Sequence, residues 1–330
     1  MINKERIKAL MTSTLPVSLL TLARREAVCA LTYHRINGTP SLFPGMAVDA
    51  FRQQMIWLRR RCVPLSADEF AGSLDAGRGG KPRVLVTFDD GYRDFHDVAY
   101  PILDELRIPC LVFIATSFIG GTKLIWTDVV DAVAHRTEQR SAHLPGDAGQ
   151  PLPLQTPAHR SQFALRTKQR LKALSDHERR AALAALLAEL RVPRPNELVP
   201  RQMLNWDEVR ATMPLATFGG HSHEHPILAS LGDAEQDADL RTCTDTMRRE
   251  LGVAPRYFAY PNGTRDDFTP VTAALLQKLG YQLAFTTIPG LNGPASDRYA
   301  LRRQYTTCAS ISDFAWQVVG GATLLHRGVA

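Results

Sequence analysis

Short apolar runs rich in β-branched residues alternate along this chain with segments whose apolar positions recur every three or four residues. Residues 28–36 read as a strand, and residues 49–61 as a helix with Phe51, Met55 and Leu58 on one stripe. Residues 83–88 form a second strand that ends at Asp89-Asp90-Gly91, followed by a helix over 94–106 and a strand over 109–115. Further on, residues 216–220 are strand-like and 233–251 make a long helix with polar outer positions. Strands follow at 256–260, 282–286 and 301–306, with one helix from about 269 to 279 and another at 312–319. Alternation at this spacing predicts an α/β fold, a parallel sheet or barrel wrapped by helices.

One stretch breaks the rhythm. From about 120 to 200 the chain passes through a Pro/Gly/Gln-rich segment (145–157) and then turns strongly helical from 162 to 190. It shows no internal repeat and reads as a helical insertion packed on the main domain. The expected organisation is an extension over 1–27 and one domain over 28–330 that carries this insertion.

Composition adds little to the class but narrows the partners. The 330 residues are 45% hydrophobic, ample for a globular core. The net charge of +6 is spread thinly, as in Arg59-Arg60-Arg61 and Arg302-Arg303. No dense basic arm of the nucleic-acid-binding kind is present. An anionic glycan, a lipid-linked substrate or a membrane surface suits that balance. Five scattered cysteines (Cys29, Cys62, Cys110, Cys243, Cys308) with no CxxC pair predict buried free thiols in a reducing compartment. Residues 9–23 are too short and too polar to span a bilayer, and Arg24-Arg25-Glu26 follows without a clean cleavage site. The expectation is a cytoplasmic protein whose amphipathic N-terminal extension packs on the domain or touches a membrane face.

The candidate chemistry lies where strands end. Asp89 and Asp90 sit at the carboxyl end of an apolar strand, the ligand-binding side of a parallel sheet. Adjacent carboxylates there either cap the following helix or face a cation that relieves their repulsion. His221-Ser222-His223-Glu224-His225-Pro226 follows another strand-like run. An i, i+4 spacing puts His221 and His225 on one side of a helical or near-helical turn, in reach of one ion, and His223 elsewhere.

These residues carry a resemblance. Thr87-Phe88-Asp89-Asp90-Gly91 resembles the first motif of the polysaccharide deacetylases (carbohydrate esterase family 4, the chitooligosaccharide-deacetylase homology domain). His221-Ser222-x-x-His225-Pro226 is similar to their second motif, and Phe258-Ala259-Tyr260-Pro261-Asn262-Gly263 to their third. Leu31-Thr32-Tyr33-His34-Arg35 resembles the first strand of bacterial members that process exopolysaccharides. The resemblance covers residues 31 to about 306. It implies a distorted (β/α) barrel of about seven strands. It also implies one divalent metal, zinc first with cobalt or nickel as alternatives, held by Asp90, His221 and His225. Asp89 would then be the general base, and the backbone N–H nearest Asn262 would face the oxyanion. Tyr260 and Pro261 become candidate substrate contacts, although Tyr260, like Trp126, either stacks on a sugar or packs in the core. Trp57, Trp206 and Trp316 lie on helix-period segments and are expected to pack.

Two departures stand out. The third motif's arginine, which orients the catalytic aspartate, is replaced by Ala259, and the Leu-x-His that supplies the general acid is Leu301-Arg302-Arg303. His34 at the end of the first strand and His326 near the C-terminus are the remaining acid candidates, His34 being as readily a core-edge histidine bonded to backbone. The expected function is metal-dependent removal of N-acetyl groups from hexosamine units of a bacterial polysaccharide or its lipid-linked precursor. The alternatives are a deformylase or O-acetyl esterase on a sugar, and a non-catalytic glycan-binding domain of the same fold.

Overall fold

The computed structural model describes residues 27–38, 41–75, 80–147, 149–306 and 310–320. The extension before residue 27, Cys308 and His326 lie outside the described residues. Seven parallel strands form one path: β10 (Gln304–Tyr305), β1 (Val28–Tyr33), β3 (Arg83–Phe88), β4 (Cys110–Ile114), β7 (Ala216–Gly220), β8 (Tyr257–Ala259) and β9 (Leu283–Phe285). A short strand, β2 (Val63–Leu65), pairs with the first half of β3, and β4 pairs with its second half. The path returns on itself at the last segment. Leu301 bridges Phe285 of β9, while Gln304 and Tyr305 pair with Leu31 and Thr32 of β1. The result is the distorted (β/α) barrel that the alternation and the resemblance implied.

Side-chain parity sorts each strand into two environments, because successive residues of a strand point to opposite faces. Val28, Ala30, Leu85, Leu111, Phe113, Tyr257, Ala259, Leu283, Phe285 and Leu301 form one buried cluster inside the barrel. The intervening Cys29, Leu31, Tyr33, Val84, Val86, Phe88, Cys110, Val112 and Ile114 face outward. There they meet Phe51, Met55 and Leu58 of α1 (Val48–Arg61) and Phe314 and Val318 of the C-terminal helix (Ile311–Val318). The helix α2 (Ala67–Ser73) sends Phe70 into the inner cluster, and its Asp68 bonds Arg256 and the Tyr257 hydroxyl at the start of β8. It therefore closes the amino-terminal end of the barrel, leaving the carboxyl end open.

The helix expected at 94–106 begins as a π-turn over Phe95–Ala99 and becomes α-helical only as α3 (Tyr100–Glu105). Pro101 in its first turn has no N–H to return to the turn below. Between β4 and β7 the chain builds a short antiparallel pair, β5 (Ser141–Ala142) and β6 (Leu152–Pro153), and the helices α4 (Trp126–Arg136), α5 (Pro157–Lys172) and α6 (Asp176–Glu189) around a separate apolar cluster that includes Val130, Phe163, Leu171 and Leu186. The helical run read over 162–190 is two helices, divided where Ser175 forms a capping box with Glu178. Two more helices flank β7: α7 (Trp206–Thr212) before it and α8 (Asp233–Leu251) after it, with α9 (Pro270–Lys278) and finally α10, the C-terminal helix, completing the shell. Trp126 sits between the helical cluster and Arg179, Trp57 packs edge-on against Phe314, and Trp206 and Trp316 pack as expected. Cys29, Cys62, Cys110 and Cys243 are buried free thiols, and burial pushes Cys62 and Cys243 up to about 12. Among the described residues no helix is long and apolar enough to cross a membrane.

Strands β7 and β8 run close together at Gly219. A Cβ there would lie 2.6 Å from the Tyr257 carbonyl oxygen and 2.8 Å from the Phe113 ring. Backbone on one side and a packed core on the other leave no room to yield. Gly219→Ala is therefore expected to cost about 1–3 kcal/mol of stability by overpacking. Urea unfolding of the two proteins measures this, and an unchanged midpoint would refute the close approach.

Candidate active site

Reading the inner face from the bottom of the barrel to its mouth gives Val28, Ala30, Thr32 and His34 along β1, and Leu85, Thr87 and Asp89 along β3. The last segment gives Leu301, Arg303 and Tyr305. Apolar residues fill the base, hydroxyls and Arg303 come next, and ionisable groups reach the opening. Asp89 continues the inner parity of β3 and is 2% exposed. Asp90 would by parity point outward. A tight turn redirects it: Gly91 N–H donates to the Asp89 carbonyl at 3.0 Å, and Asp90 takes φ +74°. Gly91 itself has φ +85°, and a Cβ on it would meet Ile114 at 2.9 Å, so the glycine of the motif is demanded by both backbone and space. Neither aspartate caps a helix, which removes the capping alternative.

His221 follows β7 and is 2% exposed; its Nδ1 lies 2.7 Å from the Ala259 carbonyl. That contact assigns Nδ1 the proton and turns Nε2 toward Asp90, whose Oδ1 is 3.3 Å away. His225 Nε2 reaches the same oxygen at 3.1 Å. Donor atoms of Asp90, His221 and His225 all lie within 4.8 Å of one another, and all three residues are buried. The two imidazoles meet through a loop rather than a helical turn, with Ser222 at φ +64° and His225 at φ +53°. Asp239 of α8 holds that loop by accepting the N–H groups of His223 (2.8 Å) and Glu224 (2.9 Å). His223 points away as expected, 2.8 Å from the Thr116 hydroxyl.

Asp89 is gripped by an arginine that lies outside the three motifs. Arg303 donates to both carboxylate oxygens, at 2.6 and 2.8 Å, and also to the Thr286 carbonyl and the Thr87 hydroxyl. The guanidinium is fully buried. Burial opposes charge on Asp89, but Arg303 and then His221 and His34 outweigh it and hold the carboxyl below its ordinary value. Burial likewise opposes charge on Asp90, yet the hydrogen bonds of His221 and His225 hold it well below. The segment Leu301-Arg302-Arg303, read as lacking a histidine, thus supplies the arginine that Ala259 does not. The signal available was parity: Arg303 is two residues from Leu301 on a strand expected to be buried.

His34 comes to the site, with Nε2 at 3.8 Å from Asp89 Oδ2 and its side chain 34% exposed. Asn262 lies at the cleft with φ +60°, in a turn closed by Gly263 N–H to the Pro261 carbonyl. Among the described residues its own N–H has no partner. Tyr260 and Pro261 require correction as substrate contacts. Tyr260 has outward parity, is fully buried, stacks on Phe268 at 4.0 Å and donates to the Tyr299 carbonyl. Pro261 is buried and outside the cleft lining. The cleft itself has a volume of about 760 Å³ and runs from Asp89, Asp90 and the two histidines to Asp131, Lys168 and Lys172 on the helical segment.

Fold and site together define an α/β barrel whose open end carries a carboxylate–imidazole cluster of metal-ligand type beside an arginine-held carboxylate. Residues 76–284 match the polysaccharide deacetylase family, and the chain belongs to it. It is 23% identical over 302 residues to the poly-β-1,6-N-acetyl-D-glucosamine N-deacetylase of Escherichia coli K12, covering 88% of this chain. The chain spans only 38% of that relative's length. The enzyme of the same name from Staphylococcus epidermidis is 28% identical over 138 residues, 34% of this chain and 48% of that one. Among solved structures, a Streptococcus pyogenes deacetylase in complex with acetate shares the fold at a TM-score of 0.60 and 18% identity, over 89% of this chain and 98% of that one. IcaB from Ammonifex degensii does so at 0.56 and 20% identity, over 88% and 97%.

Removing Arg303 would strand a buried carboxylate. Arg303→Met is expected to cost about 3–5 kcal/mol, the range for breaking one side of a buried pair. Adding Asp89→Asn to it should recover part of that loss, because the uncompensated charge is then gone. A double-mutant cycle of urea unfolding reads both; strictly additive losses would mean that the two side chains do not act as a pair.

Proposed function

We propose that this protein hydrolyses the N-acetyl group of N-acetylhexosamine units in a bacterial exopolysaccharide or its lipid-linked precursor, using one divalent metal, zinc in preference to cobalt or nickel. The observation that carries the reading is the convergence of Asp90, His221 and His225 on one point, beside Asp89 and inside a cleft large enough for a sugar. Two imidazoles and a carboxylate suit a borderline ion and leave positions open for water and substrate. When bound there, the ion supplies a Lewis acid for the acyl carbonyl and lowers the pKa of a neighbouring water.

The chain's own groups then divide the proton work. Asp89, ionised and held in one orientation by Arg303, takes the proton of the attacking water. The unpartnered N–H of Asn262 donates to the oxyanion as the carbonyl carbon becomes tetrahedral. As the C–N bond breaks, the amine nitrogen needs a proton, and His34 gives it. Its Nε2 lies 3.8 Å from Asp89 Oδ2, and with a side chain 34% exposed the ring is open enough to exchange protons with solvent. The products are acetate and a free amino sugar. A base held by an arginine and an acid at the mouth also argue against a purely glycan-binding role.

Expected outcomes separate the roles. His221→Ala and His225→Ala should each lose metal and activity together, whereas Asp89→Asn should keep the metal and lose about 10²- to 10⁴-fold in kcat. Metal content after dialysis and acetate release from N-acetylglucosamine oligosaccharides measure these, with formate release and O-acetylated sugars assayed in parallel. Formate as the main product would redirect the reading to a deformylase, and full activity of Asp89→Asn would remove the proposed base. Chelation should abolish turnover, and added zinc should restore it.

A further inference from the structure

The open end of the barrel carries a side chain that the reaction above does not use. Leu301, Arg303 and Tyr305 share the inner face of the last segment, so the three climb from the apolar interior to the mouth. Register sets Tyr305 opposite Thr32, two residues before His34 on the neighbouring strand. The Tyr305 and His34 rings lie 5.8 Å apart at 32°. Both line the cleft with Asp89 and Asp90.

Tyr305 is unusual in its exposure. Phe88, Phe113, Tyr257, Tyr260 and Phe285 are at most 1% exposed, whereas Tyr305 is 45% exposed. Among the described residues it is the one aromatic ring among the large hydrophobic side chains left open to solvent. The same arc of the mouth holds a second unsatisfied group. Asn262 Nδ2 is buried without a partner, and Asn262 is joined to this arc through Thr287, whose hydroxyl donates to the Asn262 carbonyl. The carbonyl of Thr286, the residue before Thr287, accepts from Arg303 Nε, so the contacts run from Asn262 to Arg303, the residue before β10. A buried amide donor without an acceptor is costly unless a ligand supplies one.

A hexosamine ring presents an apolar C–H face and a polar edge, the complement of an open aromatic face and an unpaired amide donor lining one cleft. We propose that Tyr305 is the platform on which the sugar ring bearing the acyl group stacks, presenting its acetamide toward Asp89 and Asp90. The proposal rests on the deacetylase reading and deepens it: the aromatic contact expected at Tyr260 belongs to Tyr305.

The test is equilibrium binding of penta-N-acetylglucosamine, β-1,4- and β-1,6-linked, to zinc-loaded Asp89→Asn protein by calorimetry. Adding Tyr305→Ala should weaken binding about tenfold, and Tyr305→Phe should bind within about twofold of the parent. Zinc content and the urea midpoint report whether each variant is folded. In the otherwise native enzyme, Tyr305→Ala should raise KM more than it lowers kcat. Unchanged binding by Tyr305→Ala overturns the platform alone, and so does a Phe variant that loses as much as Ala, since the hydroxyl and not the ring face would then matter. A fall in kcat with binding intact would assign Tyr305 to holding His34, again overturning it. If the parent binds neither oligosaccharide, the substrate class and the platform fail together.

Discussion

The ion pair of Arg303 with Asp89 ties the architecture to the chemistry. Arg303 belongs to the segment that joins β9 to β1, and its fork reaches Asp89 and Thr87 of the β3 strand and its end, and the carbonyl of Thr286 after β9. A guanidinium buried this deeply needs its donors satisfied and its charge matched, and the carboxylate needs the same in return. Each makes the other tolerable in the interior. Closing the barrel brings the pair together, and the pair in turn fixes the carboxylate in one orientation. The residue proposed as base is thus set by the same contact that holds the final strand in register.

A second constraint is backbone strain. Six non-glycine residues in the described structure have positive φ. Arg107 and Arg191 follow the ends of α3 and α6, where such a conformation is common. The other four are Asp90, Ser222, His225 and Asn262, all at the site. Each costs about 1–3 kcal/mol and persists only where surrounding contacts determine it. Here they do: Asp239 clamps the histidine loop, and short turns hold Asp90 and Asn262. Strain redirects side chains that strand parity alone would send the wrong way. Asp90 needs it to face the histidines, because Asp89 already occupies the inner position.

This explains what could be read from the chain and what could not. Alternating apolar runs and helix-period segments specify a parallel barrel because burial on two faces writes a period into the sequence. Asp89, Asp90, His221 and His225 were legible because they cluster at strand ends. Arg303 was harder to see: its partner lies 214 positions away, and only the closure of the barrel joins them. The helical turn expected at His221–His225 was wrong because i, i+4 spacing is compatible with any loop that reverses direction, and two positive-φ residues produce one. Tyr260 was misplaced because a motif gives residue types without faces. Counting outward from Ala259, whose carbonyl receives His221 Nδ1, puts Tyr260 among the helices.

Parity also accounts for the way this chain departs from the family's third motif. Position 259 is an inner position, and an arginine there would enter the barrel from β8 toward the aspartate. Alanine sends no guanidinium there, and Arg303, the residue before β10, reaches the same carboxylate instead. The guanidinium thus reaches Asp89 from a different strand than the third motif would use. Exchange of this kind is cheap in a barrel, since inner positions of several strands converge on one axis and any of them can supply a guanidinium. It is dear for the metal-type cluster, whose three donor atoms must meet within 4.8 Å through strained turns. The support of Asp89 therefore comes from whichever inner position reaches it, whereas Asp90, His221 and His225 depend on the strained turns that bring them together.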